Sequence, residues 1–147
     1  MRMIDIGQKK VTERKATVEA VVKTKAKVIE LIKKGKVPKG NVIEAAKLSA
    51  IMAAKKTPDI LALCHPIAIE TVEVDFKIQK DSIKISTFVK GDTKTGVEME
   101  AFTAASVAAL TVYDMCKSLD RGMTINQIRL MKKSGGKSGT YTRLRNK

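Results

Sequence analysis

Between Glu100 and Asp114 the chain carries no charged residue. Residues 101–113 are rich in Ala, Thr and Val, and a helix of that composition is expected to be buried nearly all round. It opens on Glu98 and Glu100 and closes on Asp114 and Lys117, which stand one turn apart on one face. Ionisable groups at both ends of a buried rod are costly unless they have partners, which makes them candidates for chemistry. At 1.5 Å per residue, Glu100 and Asp114 lie roughly 21 Å apart along such a helix. A single small ligand cannot touch both ends within one chain. If both ends are functional, either each end serves a different copy of the site or one site is completed by a neighbouring subunit.

The rest of the 147 residues fit one domain, 1–147, with no internal repeat and no linker. Trp is absent and aromatic residues are scarce, so the core must be aliphatic. Residues 16–22 alternate as a strand does. Residues 25–34 carry a helical stripe ended by Gly35, and Asn41 with Glu44 resembles a capping box that starts a second, Ala-rich helix reaching about Lys56. Residues 67–78 and 83–89 read as a hairpin turning at Asp81-Ser82. Residues 90–96 read as a loop, the buried helix follows, and 124–131 read as a last strand. A glycine-rich basic tail is expected from about residue 133. The order β-α-α-β-β-α-β predicts an α+β fold: a ferredoxin-like antiparallel sheet packed by helices, with surplus apolar helix buried in an oligomer.

A net charge of +14 points to an anionic partner. No uncharged run is long enough to span a bilayer, and the N-terminus lacks a signal-peptide pattern. Cys64 and Cys116 stand apart from any Cys-x-x-Cys motif and read as reduced thiols of a cytosolic protein. One His and two distant Cys do not make a zinc site, so no metal is expected.

Taken singly, most candidates have a plain structural alternative. His65, held extended by Pro66, suits a structural role. Glu98 and Glu100 suit the positive end of a helix dipole, and also an edge of N–H donors such as guanine offers. Asp114 and Lys117 suit a surface ion pair, and also a proton-handling pair if nearby positive charge lowers the lysine's pKa. The run Ser134-Gly135-Gly136-Lys137-Ser138-Gly139 lacks the glycine that a Walker A motif requires. It leaves backbone free for anion contact, with Lys137 as a point charge. Two rivals to an enzyme remain open. One is a basic RNA-binding sheet, for which Phe76 and Phe88 are the scant aromatics; the other is an anion-binding regulatory subunit.

Six blocks in order carry a resemblance: Lys39-Gly40-Asn41-Val42, Ile51-Met52-Ala53-Ala54-Lys55-Lys56-Thr57, Leu63-Cys64-His65-Pro66, Thr95-Gly96-Val97-Glu98-Met99-Glu100-Ala101, Tyr113-Asp114-Met115-Cys116-Lys117 and the glycine run from Ser134 to Gly139. Together they resemble the MoaC family, the cyclic pyranopterin monophosphate synthases of molybdenum-cofactor biosynthesis. Asn41 departs from the family's usual Asp and Lys56 from its common Arg.

The resemblance implies a cytoplasmic lyase acting on a 3′,8-cyclised dihydro-GTP and releasing diphosphate. It implies a homohexamer, a trimer of dimers with sites at subunit interfaces, that binds neither nucleic acid nor membrane. It implies no resident cofactor and leaves open whether Mg²⁺ accompanies the triphosphate. Residue by residue, Asp114, Lys117 and Lys39 would be catalytic. Leu63, Cys64, His65, Glu98, Met99, Glu100, Lys137 and Arg14 would bind substrate.

Overall fold

The computed structural model describes residues 1–144. Its elements run β1 (Thr12–Lys23), α1 (Ala26–Lys33), α2 (Val42–Lys55), α3 (Thr57–Ile60), β2 (Thr71–Ile78), β3 (Ser82–Thr93), α4 (Glu98–Cys116), β4 (Thr124–Ser134) and β5 (Tyr141–Thr142). The sheet has the order β2-β3-β1-β4-β5, and neighbouring strands are antiparallel. Strand β3 thus lies between β1 and β2, and β1 lies between β3 and β4. The helical crossovers β1-α1-α2-β2 and β3-α4-β4 are therefore the two split β-α-β units expected of a ferredoxin-like order.

One sheet face is covered. Alternate residues Ala16, Val18, Ala20 and Val22 of β1 and Ile83, Ile85 and Val89 of β3 are buried under α4. Helix α4 meets them with Ala101, Ala104, Ala105, Ala108 and Val112, and α2 packs along α4 through Ala46, Ala50, Ala53 and Ala54. Small side chains let the two helices approach closely and leave a thin, dense helical layer. Thr87 sits fully buried in this aliphatic core; its hydroxyl donates to the Ala101 carbonyl at 2.8 Å and ties helix to sheet.

Several expectations need correction. Helix α4 is covered only in part by its own chain, which leaves Leu110 57% exposed and Met99 41%. Residues 67–70 are not strand, although Ile67 and Ile69 pack on the core and alternate as strand residues would. Residues 90–93 continue β3 as far as Thr93 instead of forming a loop. A one-turn helix, α3, follows α2 where a simple stop was expected; Pro58 in its first turn needs no intrahelical donor. The expected tail is built structure. Lys133 and Ser134 belong to β4, and the chain doubles back at Gly135 and Gly136, both at positive φ, so that Tyr141 pairs with Lys133.

Candidate active site

At the C-terminal end of α4, Asp114 is held between two ammonium groups. Lys39 Nζ lies 2.6 Å from its Oδ2, and Lys117 Nζ lies 2.8 Å from its Oδ1. Lys117 is there because it follows Asp114 by one helical turn. Lys39 comes from far along the chain, on a turn anchored by buried Val37 and closed by Gly40 N–H donating to the Val37 carbonyl at 2.9 Å. Asn41 then caps α2, accepting from Glu44 N–H at 3.2 Å, which fixes where the turn ends.

Hydrogen bonds from Lys117 and then Lys39 hold the Asp114 carboxyl down at about 2. The bond to Asp114 pushes the Lys117 ammonium above its ordinary value. The condition that nearby positive charge lowers the Lys117 pKa is not met within one chain. Lys39 stands across Asp114, so the carboxylate screens one ammonium from the other and keeps Lys117 protonated.

The N-terminal end of α4 borders a cavity of about 710 Å³. Arg14 of β1, Glu98 of α4 and Lys137 of the 134–139 loop meet there. Lys9, Lys10, Lys94 and Lys133 join them, and Glu98 is the cavity's one carboxylate. The glycines act differently from an anion-cradling loop. A Cβ at Gly136 would collide with the Arg14 guanidinium, and a Cβ at Gly135 with the Glu13 carbonyl. Glycine here makes room for Arg14, whose Nη1 donates to the Gly135 carbonyl at 3.3 Å and whose buried Nε has no partner. In the same way a Cβ at Gly96 would occupy the place of the Glu98 carboxylate.

Lys133 is the residue that reading the sequence missed. Between β1 and β4 the register slips: Val18 faces Leu130, but Thr17 faces Lys132 and Ala16 faces Lys133. The extra residue, Met131, is a bulge, and it turns Lys133 to the helix-covered face that it would otherwise point away from. There its Nζ lies 3.2 Å from Glu98 Oε1 and 2.9 Å from Ser138 Oγ. Strict alternation places Lys133 on the wrong side, and the bulge has no signal in the sequence.

Two further groups border this end of α4. Glu100 is 3% exposed, and its Oε2 has no hydrogen-bond partner. Burial raises its pKa, and the neighbouring Glu98 charge adds to the effect. Such an acceptor suits a ligand that brings its own N–H donors. Cys64 is close enough to feel the Glu100 charge; burial first, and that charge second, raise its thiol above the ordinary range. It is therefore a thiol rather than a thiolate nucleophile. Leu63, half exposed, and His65, half-buried, flank it in the chain. Met99 points outward beside Glu100.

The candidates thus form two clusters. Glu98 and Asp114, at opposite ends of α4, are roughly 24 Å apart along its axis. The chain brings Lys39, Asp114 and Lys117 together, and Arg14, Glu98, Lys133 and Lys137 together, but does not bring one set to the other. Among the described residues no group of three or more His, Cys, Asp and Glu could hold a metal ion, and no helix is long and apolar enough to cross a membrane. Phe76 packs on the core, while Phe88 points to the other sheet face, which leaves little of the aromatic platform an RNA-binding sheet requires.

Comparison with known proteins identifies the family. The MoaC family model matches residues 3–136. A cyclic pyranopterin monophosphate synthase of Peptoclostridium acidaminophilum is 50% identical over 142 residues, covering 97% of this chain and 90% of the relative. Its namesake from Parvibaculum lavamentivorans is 51% identical over 142 residues, covering 95% and 89%. That of Streptomyces griseus is 49% identical over 142 residues, covering 97% and 80%. With a family match spanning all but the first two and last eleven residues, and relatives half identical along nearly the whole chain, this protein belongs to the MoaC family.

Proposed function

We propose that the chain is a cyclic pyranopterin monophosphate synthase of molybdenum-cofactor biosynthesis. It converts 3′,8-cyclo-7,8-dihydroguanosine 5′-triphosphate to cyclic pyranopterin monophosphate with release of diphosphate. The observation that carries this reading is the end-to-end match to synthases of that name, in a chain that keeps an amine–carboxylate–amine triad and a cation-lined cavity.

The two clusters divide the work. The cavity of Arg14, Lys133 and Lys137 takes the triphosphate. Glu100, with Glu98, Met99 and residues 63–65, takes the guanine-derived ring; its unpartnered Oε2 accepts a ring N–H. Lys39, Asp114 and Lys117 move protons. Lys117 enters as an ammonium, and so acts first as an acid during ring opening. It returns as the base for later steps once its proton is spent.

Closing the cyclic phosphate forms a bond from a sugar-derived hydroxyl oxygen to the α-phosphorus and breaks the bond to the β-phosphate. Diphosphate departs with the electron pair, and the hydroxyl proton passes to the base. These steps need no redox cofactor, and Mg²⁺ enters, if at all, with the triphosphate.

Because one protomer holds the two clusters at opposite ends of α4, the working site joins one protomer's triad to its partner's cavity. The open apolar side chains Leu48, Met52, Met99 and Leu110 supply surface for that assembly, in a cytoplasmic homohexamer built as a trimer of dimers.

Lys117→Ala tests the role division. The variant is expected to lose turnover by at least about a hundredfold while still binding substrate. Turnover at the wild-type rate would remove Lys117 from the chemistry.

A further inference from the structure

The N-terminal segment ahead of β1 is not a loose end. Residues 5–11 form a strap with its own internal bonds: Gly7 N–H donates to Asp5 Oδ1 at 2.7 Å, and Lys9 N–H to the Ile6 carbonyl at 3.1 Å. Ile6 and Val11 border a small hollow with Pro66, Ile67 and Ala68, just beyond His65. Among the described residues, the one side-chain hydrogen bond to it from the body of the fold comes from Lys94, whose Nζ donates to the Gly7 carbonyl at 2.9 Å. Two residues past that tie, Lys9 and Lys10 reach the wall of the cavity that holds Arg14 and Lys137.

The charges there are unbalanced. Glu98, the cavity's one carboxylate, is already engaged by Lys133. Among the described residues, Lys9, Lys10 and Lys137 make no ion pair, although the same chain pairs many lysines elsewhere. Crowding like charges costs free energy unless an anion joins them.

We propose that residues 5–11 are a polyphosphate-binding strap. Lys9 and Lys10 grip the end of the phosphate chain furthest from the ring, and Lys94 is a positioning residue that pins the strap through the Gly7 carbonyl. This rests on the reading above for the identity of the anion, a triphosphate whose last two phosphates leave as diphosphate. Arg14, Lys133 and Lys137 then hold the phosphate that stays, and the strap holds the leaving group. A strap tied by one hydrogen bond can also open to let diphosphate go.

Inorganic diphosphate is the probe. Its binding is measured by titration calorimetry on wild type, K9A/K10A, K94M and the triple variant, with K34A/K36A as a control of equal charge loss remote from the cavity. K9A/K10A is expected to bind diphosphate roughly tenfold or more weakly, and the control to bind normally. K94M alone should also weaken binding, but add nothing in the K9A/K10A background, because it acts through those lysines.

Unchanged binding in K9A/K10A, equal loss in the control, or a wild type that does not bind diphosphate overturns the strap. Additive loss from K94M overturns the pinning role. Wild-type turnover of the cyclised triphosphate is assayed alongside. Diphosphate binding without turnover would overturn the enzymatic reading while leaving the strap result legible.

Discussion

Asp114 and Glu100 sit on one helix and meet opposite fates. Asp114 is exposed and clamped by two ammonium groups, so it stays ionised far into acid. Glu100 is buried without a partner for Oε2, so its ionised form is the costly one. A carboxylate whose pKa is raised by folding destabilises the native state above that pKa, and the cost vanishes as the pH falls below the unfolded value. Glu100→Gln is therefore expected to stabilise the protein by about 1 kcal/mol at pH 7, with the gain fading towards pH 4, while impairing turnover. Urea unfolding at the two pH values checks it; a variant less stable than wild type at pH 7 would mean that Glu100 is paid for by a partner. The sequence exposed the Asp114–Lys117 pair through its spacing. Lys39 has no local signal, because its turn reaches Asp114 only through the tertiary fold. The resemblance named it, and the 2.6 Å contact explains it.

At the level of elements, periodicity located four of the five strands and the three longer helices, since one face of each is buried. Element ends were less legible for physical reasons. Ile67 and Ile69 alternate because they pack on the core, yet strand pairing begins only at Thr71 with Lys90. Polar 90–93 look like loop but pair with residues 12–15 of β1. The bulge at Met131 and the doubling back at Gly135–Gly136 were invisible, and they aim Lys133 and Arg14. Gly136→Ala tests that reading. Gly136 has φ 70°, where a Cβ costs about 1 kcal/mol, and its methyl would displace the Arg14 guanidinium. The expected result is a small fall in Tm with a KM raised roughly tenfold or more. An unchanged KM would contradict the arginine-holding role.

For the whole molecule, one distance is decisive. The Lys39–Asp114–Lys117 triad and the cationic cavity lie at opposite ends of a helix whose length is fixed by its hydrogen bonds, so one chain cannot bring both to a small substrate. That separation was legible in the sequence from the two charged ends of an uncharged run. What the sequence could not give was which residues join each end, because those come from β1, β4 and the 37–40 turn. The apolar side chains left open on α2 and α4 offer surface for the second copy that the proposed shared site requires.

Mixing protomers tests this most directly. Arg14→Ala removes a cavity residue and Lys117→Ala a triad residue, so each variant alone is expected to be nearly inactive. Unfolded together and refolded as mixed oligomers, they should recover activity, up to about a quarter of wild type, because some sites then draw an intact cavity from one chain and an intact triad from the other. A mixture that stays as inactive as its parents would contradict a site shared between protomers.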